Sequence, residues 1–289
     1  MNFHIPDHRP HPDSAHAEQP LKLRVLCITG DVMSATKEVW FAFAAKLYDC
    51  GVRIFDGADI SGVSRASDPK FIAMALLART LSNFDAALEL LKQGYIVEAR
   101  TITRCCYENM FWIGGLQASG SEFVKLIQED EAASRKRRGK WLLDWRERKE
   151  AFDRFDAEKV TSYIEELEKL FPKPQLLKFA NVANSTLLKD GYIFYSQLSS
   201  DAAHPSASSL QRYIDRDEDK ELRLRPDAGM RATEVVETIE YACNALLGVS
   251  VGANELAQGS PAGKEPWNLA DEYQSLSNRT TKLESDKTG

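Results

Sequence analysis

Asp68-Pro-Lys-Phe-Ile-Ala-Met-Ala-Leu-Leu-Ala-Arg-Thr-Leu-Ser-Asn-Phe-Asp-Ala-Ala-Leu-Glu-Leu-Leu-Lys-Gln-Gly94 decides the fold class. An aspartate can accept hydrogen bonds from the free amides of a first helical turn, and proline is favoured immediately after it. Phe71, Met74, Ala75, Leu77, Ala78, Leu81 and Phe84 then recur at helical spacing, and the pattern continues to Leu91 before Gly94. No strand-like alternation competes with it.

Working outward, the same signals repeat. A helix is predicted from about Tyr95 to Leu116, and an earlier one from an N-cap at Asp31 to Cys50, with Gly51 as its C-cap. Further helices are predicted over 121–155, 157–170 and 174–188, with Pro172 and Pro174 separating the last two and Gly191 ending the last. Another helical segment begins at Tyr192, and residues 215–227 read as a charged connection. The last helix, from Gly229 to Leu256, places Val235, Val236, Ile239, Ala242, Cys243, Leu246 and Val249 on one broad face. Leu23 to Ile28 is the single candidate strand. The expectation is an all-α protein, a single helical bundle with long helices and disordered termini. Residues 1–20 are rich in His and Pro and read as a disordered tail, 21–257 as the helical domain, and 258–289 as a flexible tail.

Composition narrows the function classes. A net charge of -6 opposes a surface wholly devoted to nucleic acid, although a local basic patch is compatible with it. The longest apolar run, Phe71 to Ala78, is closed by Arg79, so no membrane span is predicted. The amino terminus has no secretory signal pattern, and the protein is read as cytoplasmic. Cys27, Cys50, Cys105, Cys106 and Cys243 form no Cys-x-x-Cys pair and read as reduced, mostly buried thiols. There is no glycine-rich phosphate loop and no cluster with metal-ligand spacing, so neither cofactor nor metal is predicted.

Histidine is scarce in the part expected to fold. His4, His8, His11 and His16 lie in the amino-terminal tail, leaving His204 in Tyr195-Ser-Gln-Leu-Ser-Ser-Asp-Ala-Ala-His-Pro205. Its ring suits proton transfer near neutrality, and it equally suits capping a backbone carbonyl at a helix end. Tyr195 and Ser199, four apart, share a helical face beside it.

Arg100, Arg104, Tyr107, Glu108 and Phe111 lie with Ile96 within an arc of roughly 120° on the third helix. Two readings fit. In one, the charges form an internal salt-bridge network, Arg104 with Glu108 and Arg100 with a carboxylate or carbonyl on a neighbour. In the other, the paired guanidinium groups bind a phosphate or carboxylate, with RNA or a nucleotide as the ligand class. The run Arg135-Lys-Arg-Arg-Gly-Lys140, continued by Arg146, Arg148 and Lys149 around Trp141 and Trp145, also admits two readings. It is either a surface for single-stranded nucleic acid or a solvated helix face with its tryptophans packed on a neighbour.

The Ala99-Arg100-x3-Arg104-x3-Glu108 helix and the later Tyr195-x3-Ser199-x4-His204 segment resemble the bacterial and archaeal domain-of-unknown-function family 5677. The histidine stands one residue further on than in that family's pattern. The resemblance covers about residues 70–210 and implies an all-helical fold with no established activity. It is also similar in outline to the HEPN group of helical nucleases and nucleotide-binding domains, many of them in defence. The Arg and His a few residues apart that mark that group are here about a hundred residues apart.

Two functional expectations follow. One is an Arg/Glu/His site for a small anion, phosphate or nucleotide, in a defence or stress role, with Arg100, Tyr195 and Ser199 binding. The other is a metal-independent ribonuclease in which His204 moves the proton, Arg100 and Arg104 stabilise the phosphate and Glu108 assists. Excess apolar helical surface is compatible with a homodimer.

Overall fold

The structure, a computed structural model, describes residues 30–148, 156–186, 188–203, 205–217 and 220–285. Four long helices make the core: α1 (Gly30–Gly57), α2 (Pro69–Lys92), α3 (Ile96–Ser119) and α9 (Ala232–Leu256). Between α3 and α9 come α4 (Ser121–Arg148), α5 (Ala157–Leu170), α6 (Phe179–Asn184) and α7 (Gly191–Leu198). A π-helical turn (Ser199–Ala203), α8 (Ala207–Leu210), a 3-10 turn (Gln211–Tyr213) and strands β1 (Ile214–Arg216) and β2 (Leu222–Leu224) complete the insertion. Helix α10 (Glu265–Ser285) follows α9. Among the described residues the protein is all-α apart from that antiparallel hairpin, in which Ile214 pairs with Leu224.

Helix α2 begins as its sequence requires: Asp68 Oδ1 accepts from the Lys70 amide at 2.8 Å, with Pro69 in the first turn. Its composition and length are those of a helix able to cross a membrane, but Met74, Leu77, Leu81 and Phe84 are buried against α1, α3 and α9. The whole predicted face of α9, Val235 to Val249, is buried in the same core. Burying side chains of this size stabilises the fold by roughly 1.5–3 kcal/mol each, the largest favourable term in the assembly.

Several boundaries differ from expectation, each for a packing reason. Gly51 does not cap α1; the helix runs on to Gly57 because Ile54 beyond it is fully buried. Gly51 is a point of close approach instead, since a Cβ there would lie 2.8 Å from Leu81 Cδ2. Pro174 does not open a helix. The chain stays irregular until Phe179, with the Leu177 amide donating to Asp130 Oδ1 on α4 at 2.7 Å. The charged connection over 215–227 contains the β1–β2 hairpin.

The largest correction concerns the carboxyl-terminal region, where α10 replaces much of the expected flexible tail over 258–289. Leu269 is buried, with Tyr273 and Leu276 packed beside it, a helical spacing diluted by polar neighbours. Trp40 Nε1 donates to Thr280 Oγ1 at 3.1 Å, and Lys46 meets Glu272 at 2.8 Å. The expected amino-terminal tail, the candidate strand Leu23–Ile28 and the end of the helix predicted to Phe155 lie outside the described residues.

Candidate functional site

The third helix delivers Arg100, Arg104 and Glu108 along one stripe, successive turns apart. Tyr195 on α7 and Asp201 in the π-helical turn face that stripe, while α9 brings Glu234, Glu237 and Thr238 to its other side.

Arg100 is held from both flanks. Its Nε lies 2.7 Å from Asp201 Oδ2, and its Nη1 lies 2.8 Å from Glu237 Oε2 and 3.2 Å from Thr238 Oγ1. The side chain is 3% exposed. Asp201 is shared: Arg212 donates to it from Nε at 2.9 Å and from Nη2 at 2.7 Å, and Arg212 Nη2 also lies 2.9 Å from Glu234 Oε1. Glu237 Oε1 accepts from Gln197 Nε2 at 3.2 Å, and the Tyr241 hydroxyl stands 3.0 Å away. Burial, reinforced by the Glu237 charge, pushes the Tyr241 phenol above its ordinary range. Burial works against the Arg212 charge, yet its bonds to Asp201 and Glu234 outweigh it, and the net shift is upward. This half is the internal ion-pair network expected of the charged face, with Arg100 reaching carboxylates on two neighbours.

Arg104 sits differently. Its Nη2 lies 2.8 Å from Glu108 Oε1 and 3.2 Å from the Tyr195 hydroxyl, and the guanidinium carbon stands 5.2 Å from the Tyr195 ring centroid. The Tyr195 hydroxyl is also 3.5 Å from Glu108 Oε1, at the outer limit of a hydrogen bond. The Arg104 side chain is 22% exposed, and its buried Nε has no hydrogen-bond partner. Burial disfavours its charge, but Tyr195 and Glu108 raise its pKa on balance.

The structure therefore joins Arg104, Glu108 and Tyr195, and separates Arg100 from them into an ion-pair network with Asp201 and Glu237. The Ser199 hydroxyl donates to the Tyr195 carbonyl at 2.8 Å, one helical turn back. His204 lies outside the described residues. Its flanks are anchored, since Asp201 bonds both arginines and Ser206 Oγ donates to the Ser200 carbonyl at 2.7 Å. The one residue in excess of the resemblance's spacing falls in the stretch that contains the π-helical turn. Bonding from i to i+5 accommodates one residue more than an α-turn. Arg212, Glu234 and Glu237 escaped sequence reading because no local pattern links them to Arg100. A polar cleft of about 480 Å³ opens beside this network, lined by Asp201, Arg212 and Glu234 together with Asp215, Arg225 and Arg231.

Fold and site together define an all-helical protein built around an arginine–carboxylate network. The chain belongs to the family of unknown function DUF5677, whose model matches residues 70–221, from α2 to the hairpin turn. The match contains Arg100, Arg104, Glu108, Tyr195, Asp201 and Arg212, and stops short of the α9 carboxylates. No curated protein and no solved structure matches the chain.

Proposed function

We propose that this protein binds a small anion, phosphate or nucleotide, through Arg104, with Tyr195 and Glu108 holding that guanidinium in place. The observation that carries the reading is the contrast in donor use. Arg100 is dry and lies against two carboxylates and a hydroxyl from neighbouring elements, Asp201, Glu237 and Thr238, whereas Arg104 is partly exposed and meets the single carboxylate Glu108. A guanidinium with unspent donors beside one carboxylate is suited to a forked contact with an anion.

Calorimetric titration of the full chain with inorganic phosphate, pyrophosphate and ATP tests the reading. Binding of at least one, lost in Arg104→Ala and weakened in Arg104→Lys, is the expected result; a wild-type protein that takes none overturns it. The ribonuclease alternative rests on the same arginine with His204 as proton carrier. Incubation with RNA in chelator separates the two, because only that reading expects cleavage that disappears in His204→Ala.

A further inference from the structure

The basic run of α4 is largely spent within the fold. Arg135 and Arg138 pair with Glu131, and Lys136 and Lys140 with Glu168 on α5, although Trp141 stays 68% exposed. Charge without a partner is found instead in a recess of about 860 Å³ between α3, α9 and the segment that leads into α7. Helices α3 and α9 run parallel and in register. Arg100 meets Glu237, the Tyr107 hydroxyl donates to Asn244 Oδ1 at 3.2 Å and Gln117 Nε2 donates to Glu255 Oε2 at 2.6 Å, each pair 137 or 138 positions apart. The two helices approach closely, since a Cβ on Gly248 would lie 2.7 Å from Met110 Sδ. Leu188 closes the side of the recess against α3, where a Cβ on Gly114 would lie 2.7 Å from its Cδ1.

The recess is apolar within and acidic at its rim. Met110, Leu188, Phe194, Leu247 and Val251 supply the apolar surface. Among the described residues that line it, the charged ones are Asp190 and Glu255, both exposed. Asp190 does not cap α7 and has no ion-pair partner among the described residues, while Glu255 keeps Oε1 beyond its bond from Gln117. Neither α3 nor α9 has a basic residue in its last turn, so the negative ends of both helices reinforce these carboxylates. Helices α7 and α10 begin beside the recess, but their first amides are taken. Those of Gly191, Tyr192 and Ile193 donate to the carbonyls of Leu188, Lys189 and Asp190, and those of Glu265 and Trp267 to Ala262 and Lys264. The Trp267 indole, 51% exposed, completes the rim.

We propose that this recess binds a small organic cation, an amine with an aliphatic body that lies over Met110, Leu188, Leu247 and Val251 and an ammonium group met by the rim carboxylates and the Trp267 indole. A volume of about 860 Å³ falls within the range of small-molecule sites, about 300–1,000 Å³, in which apolar walls supply contact and a few polar groups fix orientation. An anion would meet two carboxylates and no basic lining side chain. A neutral apolar molecule would strip water from the carboxylates and put nothing in its place, whereas an ammonium offsets that loss and gains from an indole face. The recess is separate from the Arg104 site. At 100° per residue, Met110, Gly114 and Gln117 lie roughly 130° around α3 from Arg104 and Glu108, so the inference does not depend on anion binding there.

Calorimetric titration of the full chain with octylamine, octanol and octanoate, equal in chain length and different in charge, tests the proposal. Octylamine below its micellar concentration should bind saturably, octanol at least about fivefold more weakly and octanoate not at all. Asp190→Asn with Glu255→Gln should bring octylamine down to the affinity of octanol, and Trp267→Ala should weaken it about threefold. Val251→Trp, at a half-buried lining position, should fill the recess and abolish binding of both. Arg104→Ala should leave octylamine binding unchanged. Asp190, Glu255 and Trp267 are exposed, so the effects of changing them do not run through unfolding, and an unchanged Tm of each variant confirms that. Absence of octylamine binding, octanol or octanoate binding as tightly as octylamine, or undiminished octylamine affinity in the double carboxylate variant would each overturn the proposal.

Discussion

Arg100 and Arg104 leave the same helix one turn apart, carry the same charge and belong to the same motif, yet they do opposite things. Arg100 is dry and pinned by carboxylates from the π-helical turn and α9, so its charge is consumed in holding three elements together. Arg104 touches one carboxylate of its own helix and one phenol across the gap, and part of it stays wet. A motif arginine is therefore defined by what folds against it. The difference follows from α9 and the π-helical turn closing over Arg100, while α7 brings Tyr195 against Arg104.

The sharpest way to break this comparison is to remove Arg100. Arg100→Ala leaves Asp201 and Glu237 each short of a buried partner and should cost about 3–5 kcal/mol, on the order of 10 °C in Tm, read by thermal melting. A loss below about 1 kcal/mol would mean that the two arginines are equivalent. Asp201→Ala comes next, at about 2–3 kcal/mol, because Arg100 retains Glu237 and Arg212 retains Glu234. The double variant should lose measurably less than the two single losses combined, and a denaturant-melt cycle reads that coupling directly.

A pH series sharpens the contrast from the side of the core. Burial pushes the Cys50 thiol up to about 11 and raises those of Cys106 and Cys243 as well. Between the ordinary thiol range near about 8.5 and these raised values, the unfolded chain has released protons that the folded chain keeps. Stability should then fall as pH rises, on the order of 1 kcal/mol for Cys50 alone between about pH 9 and 10. Chemical denaturation at stepped pH checks it. Arg100→Ala leaves these thiols in place, so the gap between wild type and Arg100→Ala should stay nearly constant across that range. The smallest effect is expected for Arg104→Ala: about 0.5–1 kcal/mol for a partly exposed i,i+4 pair and a ring contact. A Tm drop matching that of Arg100→Ala would make Arg104 a structural residue and remove the main support for anion binding.

What could be read along the chain was whatever lies within about one helical turn. The start of α2 at Asp68-Pro69, the extent of α5, the buried face of α9 and the Arg104–Glu108 pair all follow from spacings of three or four residues. Helix α10 was missed because the residues that carry its packing, chiefly Leu269, Tyr273 and Leu276, are few and set among polar neighbours. Gly51 was misread because a glycine that ends a helix and one that lets another helix approach look the same in sequence.

The sequence by itself determined an all-helical chain, the stripe Arg100–Arg104–Glu108 and the pairing of the last two, since helical geometry repeats every few residues and needs no other information. Only the tertiary structure decided that Arg100 belongs to Asp201 and Glu237, more than a hundred positions away, and that Trp141 faces outward. Those outcomes depend on which helices pack together and which surfaces they leave open, and hydrophobic burial, which sets that packing, is not directional enough to be read from any one segment.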